Sequence, residues 1–157
     1  MKKRFGSDLQ DKLVVVTGAS KGIGFGLAKI IAQEGARVAV ASRDVHSLQE
    51  LARQIRADGG TCEAFALDLR DVASIRTCFE RIETEMGPID VLVNNAGMGN
   101  PIPAEDLTEH DWDWMMDLNL KGTFFCCQAA GKAMLARKKG RIVNISSQAS
   151  VVAIPHE

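Results

Sequence analysis

A glycine-rich turn between an apolar run and a helical pattern most constrains the fold of this chain. Residues 17–24 read Thr-Gly-Ala-Ser-Lys-Gly-Ile-Gly, after the β-branched run at 13–16 and before apolar residues at helical spacing. Gly18, Gly22 and Gly24 allow positive φ, close approach of the backbone to a ligand and close packing of helix on strand. The free N–H groups and positive dipole end of the following helix suit a pyrophosphate. The turn therefore predicts a nucleotide-binding strand-turn-helix unit.

Strand-like and helix-like segments alternate along the rest of the sequence. The expected strands are 12–17, 37–41, 61–67, 89–93 and 141–146. The first expected helix is 22–34. The second is capped by Asp44 and ended by Gly59-Gly60, and the third is capped by Asp71 and ended by Gly87-Pro88. A long fourth helix is expected over 108–139 and opens with Thr108 and Asp111 as a capping box. Such alternation with short connections predicts an α/β fold whose parallel sheet is covered by helices on both faces.

The order of the strands in this sheet decides where a ligand binds. We expect the doubly wound order 3-2-1-4-5, which places the carboxyl ends of the first and fourth strands side by side, with the binding crevice between them. The length of 157 residues and the hydrophobic content of 46% fit a single domain. That domain is expected over residues 11–157, after a mobile tail at 1–10.

Charge and targeting features exclude several classes of partner. The 19 basic and 20 acidic residues are interspersed and give a net charge of −1, so neither nucleic acid nor a membrane is expected as a partner. No apolar run follows the basic start Met1-Lys2-Lys3-Arg4, which makes a secretory signal unexpected and a cytoplasmic location the default.

Cysteines and histidines give no sign of a metal site. The cysteines lack C-x-x-C spacing and lie in expected strands and helices, which predicts buried or half-buried thiols: Cys62, Cys78, Cys126 and Cys127. The histidines are isolated in polar surroundings: His46, His110 and His156. No metal ligand set is therefore expected.

The residues after the second strand bear on the choice of cofactor. Ser42 stands where a fold that binds NAD places an acidic residue for the ribose hydroxyls, and Arg43 follows it. A guanidinium matches a phosphate, whereas a carboxylate repels one. With Lys21 as a second cation, these residues favour NADP, with NAD as second choice. In the competing interpretation both cations are solvated, and Asp44 remains able to reach a ribose.

Polar residues also follow the third and fourth strands. Asp68-Leu69 follows the third strand, and its carboxylate is able to accept a hydrogen bond from an adenine amino group or simply to cap its own loop. Asn94-Asn95-Ala96-Gly97 follows the fourth strand, where the two amides are suited to bridge strands and the small residues let the backbone pass close to a ribose.

Three motifs occur in order: Thr-Gly-x-x-x-Gly-x-Gly, Asn-Asn-Ala-Gly after the fourth strand, and Gly-Arg-Ile-Val-Asn-Ile-Ser-Ser at 140–147. With them the chain resembles the short-chain dehydrogenase/reductase family from Asp11 onward. The resemblance implies a Rossmann-like fold and hydride transfer between NADP(H) and a carbonyl or secondary alcohol. Residues 113–133 are similar to gluconate-type dehydrogenases and to 3-oxoacyl carrier-protein reductases, and the family implies a homo-oligomer, dimer or tetramer.

The resemblance also implies roles for individual positions. Gly18, Ser20, Ile23 and Gly24 are placed around the phosphates, Asp68 at the adenine, and Asn94 and Gly97 near the ribose. The full set of expected cofactor-binding residues is Gly18, Ser20, Lys21, Gly22, Ile23, Gly24, Ser42, Arg43, Asp68, Leu69, Asn94, Ala96 and Gly97. Asn119 and Ser147 are implied as members of a catalytic Asn-Ser-Tyr-Lys set.

Both implied catalytic residues suit their roles chemically. Asn119 interrupts an apolar helical stretch, where an amide needs a buried partner or water and is able to hold one end of a proton relay; an ordinary interhelical hydrogen bond is the alternative. Ser147 closes the fifth strand, where a hydroxyl is able to donate to a substrate oxygen. Ser146 is the alternative, because alternation along a strand lets only one of the two face the crevice.

The sequence departs from the family in one respect that matters for catalysis. It contains no Tyr, so the Tyr of the family's Tyr-x-x-x-Lys motif is missing, and with it the proton donor. We therefore expect a fragment of a longer reductase with little activity, in which the fifth strand is an open edge and apolar side chains lose their cover. The alternative is a complete dinucleotide-binding module that acts through protein contacts without turnover.

Overall fold

The computed structural model describes residues 7–152 and contains a single five-stranded sheet within them. Its strands are β1 (Leu13–Thr17), β2 (Arg37–Ser42), β3 (Thr61–Ala66), β4 (Val91–Asn94) and β5 (Arg141–Asn144). All neighbours pair in parallel in the order β3-β2-β1-β4-β5, which confirms the predicted doubly wound order. The first and fourth strands are therefore adjacent, as the expected crevice requires.

Five α-helices connect the strands: α1 (Gly22–Gln33), α2 (Val45–Ala57), α3 (Val72–Met86), α4 (Glu109–Met116) and α5 (Thr123–Ala136). The predicted caps are confirmed. Asp44 accepts from the backbone of Ser47 at the start of α2, Asp71 caps α3, and Thr108 with Asp111 forms a capping box before α4. These caps hold the polar helix starts at the carboxyl edge of the sheet.

The prediction of one continuous helix over 108–139 is wrong in detail. A π-helical segment, Asp117–Gly122, separates α4 from α5, and α5 ends at Ala136. Gly122 is buried against the loop after β3, where a Cβ on Gly122 would lie 2.5 Å from the backbone oxygen of Leu69. Side-chain periodicity carries no signal for this change of backbone hydrogen bonding, because it reflects burial rather than the helix type.

Helices cover both faces of the sheet, and each face has its own apolar core. On one face α3 and α5 pack on β1 and β3, with Phe65, Phe79 and Ile82 at the centre. On the other face α1 and α2 pack on β1 and β2 through Val38, Leu51 and other buried residues. β1 lies between the two cores and is buried along its whole length, so the turn that follows β1 starts from a fixed position.

The remaining sequence predictions for the fold fall near the ends of the chain. The expected tail at 1–10 lies partly outside the described residues, and Ser7–Leu9 form a short 3-10 helix. β5 is the edge strand next to β4, and all four of its residues are exposed. Cys62, Cys78 and Cys126 are buried and Cys127 is half-buried, as predicted. In the described part of the chain, none of the helices has the length and apolarity to cross a bilayer.

Candidate functional site

A crevice of about 580 Å³ opens at the carboxyl ends of the strands, where the strand order predicts a ligand site. It is bordered by the turns after β1 and β2 and by the loops after β3 and β4. The residues that line it are Gly18, Ser20, Lys21, Gly22, Ile23, Ala41, Ser42, Arg43, Asp44, Ser47, Leu67, Leu69, Asn95, Ala96, Gly97, Met98 and Leu118. Of the predicted cofactor-binding residues, only Gly24, Asp68 and Asn94 are absent from this lining.

The turn after β1 is shaped by glycines in different ways. Gly18 and Gly22 both have positive φ, +66° and +60°, which favours glycine at these two positions. A Cβ on Gly18 would lie 2.7 Å from the Cα of Ala96, so the two loops that border the crevice are in close contact there. A Cβ on Gly24 would lie 2.7 Å from the backbone oxygen of Gly18. Gly24 therefore lets α1 pack against the turn and does not itself line the crevice.

Asn95 connects the loop after β4 to the turn after β1. Its Nδ2 donates to the backbone oxygens of Thr17 at 3.0 Å and Gly18 at 3.2 Å. In return, the Oγ1 of Thr17 accepts hydrogen bonds from the backbone N–H groups of Asn95 and Ala96. The expected bridging by an amide at this position is thus confirmed, and Asn95 also lines the crevice, which the list of expected site residues omitted.

Asn94 points away from the crevice, into the sheet. Its side chain is 4% exposed, and Nδ2 donates to Asn144 Oδ1 at 2.9 Å and to Cys127 Sγ at 3.2 Å. The amide thus bridges β4 to β5 and α5. The role near a ribose that the family resemblance implies for Asn94 stays a prediction.

Four polar residues at and after the end of β2 line the crevice: Ser42, Arg43, Asp44 and Ser47. The exposed Arg43 makes no side-chain hydrogen bond or ion pair within residues 7–152. The neighbouring Asp44 accepts two hydrogen bonds from Ser47, one from the backbone N–H at 3.0 Å and one from the hydroxyl at 2.6 Å. These bonds hold the pKa of Asp44 below its ordinary value. The hydroxyl of Ser42 donates to the backbone oxygen of Asp44.

Asp68 is engaged by its own loop. It accepts from the Arg70 backbone N–H at 3.0 Å and forms an ion pair with the Arg70 guanidinium at 3.2 Å. The Arg70 side chain is the main cause that lowers the pKa of Asp68, and Arg43 adds to the effect. The loop-capping interpretation of this aspartate therefore holds in the structure. The contact with adenine stays a prediction.

Asn119 lies in the π-helical segment and is exposed. Its Oδ1 accepts from the backbone N–H of Met98 at 2.9 Å, and its Nδ2 donates to the backbone oxygen of Met98 at 2.8 Å. The amide finds its partner in a loop backbone, and this pair of bonds ties the loop after β4 to the helix. π-helical turns recur at functional sites, which is consistent with the predicted role.

Ser147 lies beyond β5 and outside the lining of the crevice. Its Oγ accepts from the backbone N–H of Ala149 at 3.1 Å and caps the short 3-10 helix Gln148–Ser150. Ser146 is likewise exposed. The choice between the two hydroxyls, and the catalytic role itself, stay predictions.

Sequence reasoning missed several residues that line the crevice: Ala41, Ser47, Leu67, Asn95, Met98 and Leu118. Ala41 lies near the end of β2 and Leu67 directly follows β3 at the carboxyl edge, so the strand order was itself a signal for them. Ser47 stands one helical turn after a capping aspartate, which also marks a helix start. Met98 and Leu118 lie on segments that the bonds between Asn119 and Met98 join, and no local pattern reveals that contact.

The short chain dehydrogenase family model matches residues 12–157. The chain belongs to this family. It is 43% identical to D-threitol dehydrogenase from Mycolicibacterium smegmatis over 146 residues, which are 93% of this chain and 56% of that enzyme. It is 40% identical to gluconate 5-dehydrogenase from Gluconobacter oxydans over 141 residues, 90% of this chain and 55% of that enzyme. The chain therefore spans little more than half the length of these curated relatives.

Solved structures give the same family and the same fold. A metagenomic short-chain oxidoreductase in complex with NADP is 38% identical with a TM-score of 0.90, covering 96% of this chain and 68% of that chain. A gluconate 5-dehydrogenase from Burkholderia cenocepacia in complex with NADP and tartrate is 34% identical with a TM-score of 0.90, covering 96% of this chain and 59% of that chain. The Rossmann-like architecture of this dehydrogenase family is thus shared over 96% of this chain.

Proposed function

We propose that this chain is the NADP-binding part of an oxidoreductase that moves a hydride between the cofactor and a carbonyl or secondary alcohol. One observation carries the proposal: the crevice at the carboxyl edge combines a glycine cradle with two cations. Gly18 and Gly22 line this crevice with positive φ, and Lys21 and Arg43 line the same crevice. Solved relatives that contain NADP support this assignment.

Each part of the crevice suits one part of the cofactor. The turn with Ser20 and Ile23 at the start of α1 would hold the pyrophosphate, because free N–H groups and the helix dipole favour an anion there. Arg43 and Lys21 would face a 2′-phosphate. Ser42 adds a neutral hydroxyl at a position where a carboxylate would repel this phosphate. The loop 95–98 would lie along the nicotinamide half. We therefore propose a preference for NADP over NAD.

We propose the catalytic step from the family to which the chain belongs, with Asn119 and Ser147 as the residues that this chain contributes. When bound, the nicotinamide supplies or accepts the hydride. Asn119 orders the backbone at Met98, and Ser147 provides a hydroxyl for the substrate oxygen. The sequence has no Tyr, so we propose that the 157-residue chain binds the cofactor but turns over substrate very slowly. Losing a positioned general acid costs typically about 10²- to 10⁴-fold in rate.

The names of the relatives suggest the substrate class. D-Threitol, galactitol and sorbitol dehydrogenases and a gluconate 5-dehydrogenase occur among them. We propose a polyol or a sugar acid as the substrate of the intact enzyme, in the cytoplasm. We also propose a homo-oligomer, because large apolar side chains are exposed on α4, α5 and the segment between them: Trp112, Leu120 and Phe124.

The proposal is tested by titrating the 157-residue chain with NADPH and with NADH, following nicotinamide fluorescence. We expect tighter binding of NADPH. Arg43→Ala should lower the affinity for NADPH by about tenfold or more, because a charge-assisted bond to the 2′-phosphate is lost. The affinity for NADH should be nearly unchanged. Arg76→Ala, on the exposed side of α3 and outside the crevice, is the matched control.

Two outcomes would contradict the proposal. Equal affinities for the two nucleotides would remove the preference for NADP, and no binding of either would remove the cofactor site. Turnover is measured separately with threitol and gluconate in the presence of NADP. A rate typical of the intact relatives would refute the expected low activity and show that this chain holds a proton donor other than Tyr.

A further inference from the structure

We infer that Ser47 determines cofactor specificity by holding the Asp44 carboxylate at the start of α2, which leaves Arg43 free to bind a 2′-phosphate. This inference rests on the proposed binding of NADP. Ser47 lines the crevice, and we infer that it acts on the cofactor through Asp44, as a positioning residue.

The charge of Asp44 is in a position to matter. Among the residues that line the crevice, Lys21 and Arg43 carry positive charge and Asp44 carries the only negative charge. A carboxylate beside a 2′-phosphate repels it, whereas the same carboxylate is a good acceptor for the hydroxyls of an NAD ribose. The direction in which Asp44 points therefore decides how far it opposes Arg43.

Ser47 fixes that direction. Its backbone N–H binds Oδ1 at 3.0 Å and its hydroxyl binds Oδ2 at 2.6 Å, so both carboxylate oxygens accept a bond from the same residue. Only the second bond depends on the side chain. Ser47→Ala leaves the helix cap to the backbone N–H but frees Oδ2, which is then able to pair with the neighbouring Arg43.

The expected effect is a change in the ratio of the two affinities. Losing the hydroxyl bond should lower the affinity for NADPH by about three- to tenfold, in line with the size of a single hydrogen bond. The affinity for NADH should be unchanged or slightly higher. Asp44→Asn keeps the oxygen that accepts from the Ser47 backbone and removes the charge. Asp44→Asn should raise the affinity for NADPH relative to that for NADH.

The test is a double-mutant cycle on the full chain, with NADPH and NADH dissociation constants measured for the wild type, S47A, D44N and S47A/D44N. We expect S47A to lower the NADPH preference in the wild-type background and to have no effect in the D44N background, where no charge remains to be positioned. Asp71→Asn removes a capping charge from α3, outside the crevice, and should leave the ratio unchanged.

Three outcomes overturn the inference. An unchanged ratio in S47A shows that Ser47 does not control Asp44. An equal loss of NADPH binding in S47A with and without the D44N change makes Ser47 a direct phosphate ligand instead. If the wild-type chain binds neither nucleotide, the proposed function fails and this inference fails with it, whereas the first two results leave the proposed function standing.

Discussion

Asn95 and Thr17 bind each other twice where the loop after β4 meets the end of β1. The backbone N–H of Asn95 donates to Thr17 Oγ1 at 3.1 Å, and its Nδ2 donates to the Thr17 backbone oxygen at 3.0 Å. The second bond is shared with the backbone oxygen of Gly18 at 3.2 Å. One side chain thus satisfies the two carbonyl groups from which the glycine turn begins, and it fixes the distance between the loops after β1 and β4.

The first prediction concerns this amide. Asn95→Ala should lower the free energy of unfolding by about 1–3 kcal/mol, because partly buried carbonyl groups lose their donor. Asn95→Asp should cost more than Ala, since a carboxylate would then face two carbonyl oxygens. Urea unfolding measures both. Asn100→Ala is the control, because the Asn100 side chain makes no hydrogen bond in the described part of the chain; equal stability of all three variants would contradict the role of Asn95.

The second prediction separates two glycines of the same helix. A Cβ at Gly24 would lie 2.4 Å from Asn95 Nδ2 and 2.7 Å from the Gly18 backbone oxygen, whereas a Cβ at Gly26 meets nothing within 4 Å. Gly24→Ala should therefore destabilise the chain by about 1–3 kcal/mol and weaken nucleotide binding. Gly26→Ala should be neutral or stabilise by up to about 1 kcal/mol, because alanine favours the helix.

A double variant sharpens this second prediction. Adding Asn95→Ala to Gly24→Ala removes the clash with the side chain but leaves the clash with the Gly18 backbone oxygen. In a thermal melt, the midpoint temperature of the double variant should therefore be no higher than that of Gly24→Ala alone. Recovery of the wild-type midpoint would show that the side chain alone excludes a Cβ at this position.

The third prediction concerns the contact between Asn119 and Met98. Asn119→Asp keeps the acceptor for the Met98 N–H and loses the donor to the Met98 oxygen, while Asn119→Ala loses both. Hydrogen exchange at the Met98 amide should be much faster in the alanine variant and only slightly faster in the aspartate variant. Identical exchange in the two variants would mean that the acceptor bond does not protect this amide. Neither change should cost much stability, because Asn119 is exposed.

The fourth prediction is a pH dependence at Asp68. The Arg70 side chain is the main cause that lowers the pKa of this carboxyl below its usual value of 3.8. Because the folded pKa lies below the unfolded one, the stabilising effect is present above about pH 4 and is lost as the pH falls through the folded pKa. Arg70→Gln should raise the pKa of Asp68 toward 3.8, measured by carboxyl NMR titration. Arg76→Gln, outside this loop, should leave it unchanged.

Much of the fold follows directly from local sequence patterns. The apolar runs are short, lie between helical segments and have short connections, so they specify the parallel sheet and its strand order. The capping residues Asp44, Asp71 and Thr108 mark three helix starts because their side chains bind backbone groups within the same turn. The lining of the crevice by Gly18, Arg43 and Gly97 then follows from the position of strand ends at one edge.

What sequence patterns did not reveal depends on contacts between distant segments. The π-helical segment differs from an α-helix only in backbone bonding, and the approach of Gly122 to Leu69 is a tertiary contact. The pairing of Asn119 with Met98 has the same origin. The turn of Asn94 into the sheet is set by Asn144 on the neighbouring strand, which a motif read along one strand does not show.

The π-helical segment has a consequence for the motion of the crevice. Asn119 holds the loop after β4, and Gly122, three residues later, packs on the loop after β3. If this segment adopted α-helical winding, both residues would rotate and both loops would lose these contacts at once. Two borders of the crevice that lie on different strands should therefore open as one cooperative unit, and slow exchange measured in one loop should report on the other.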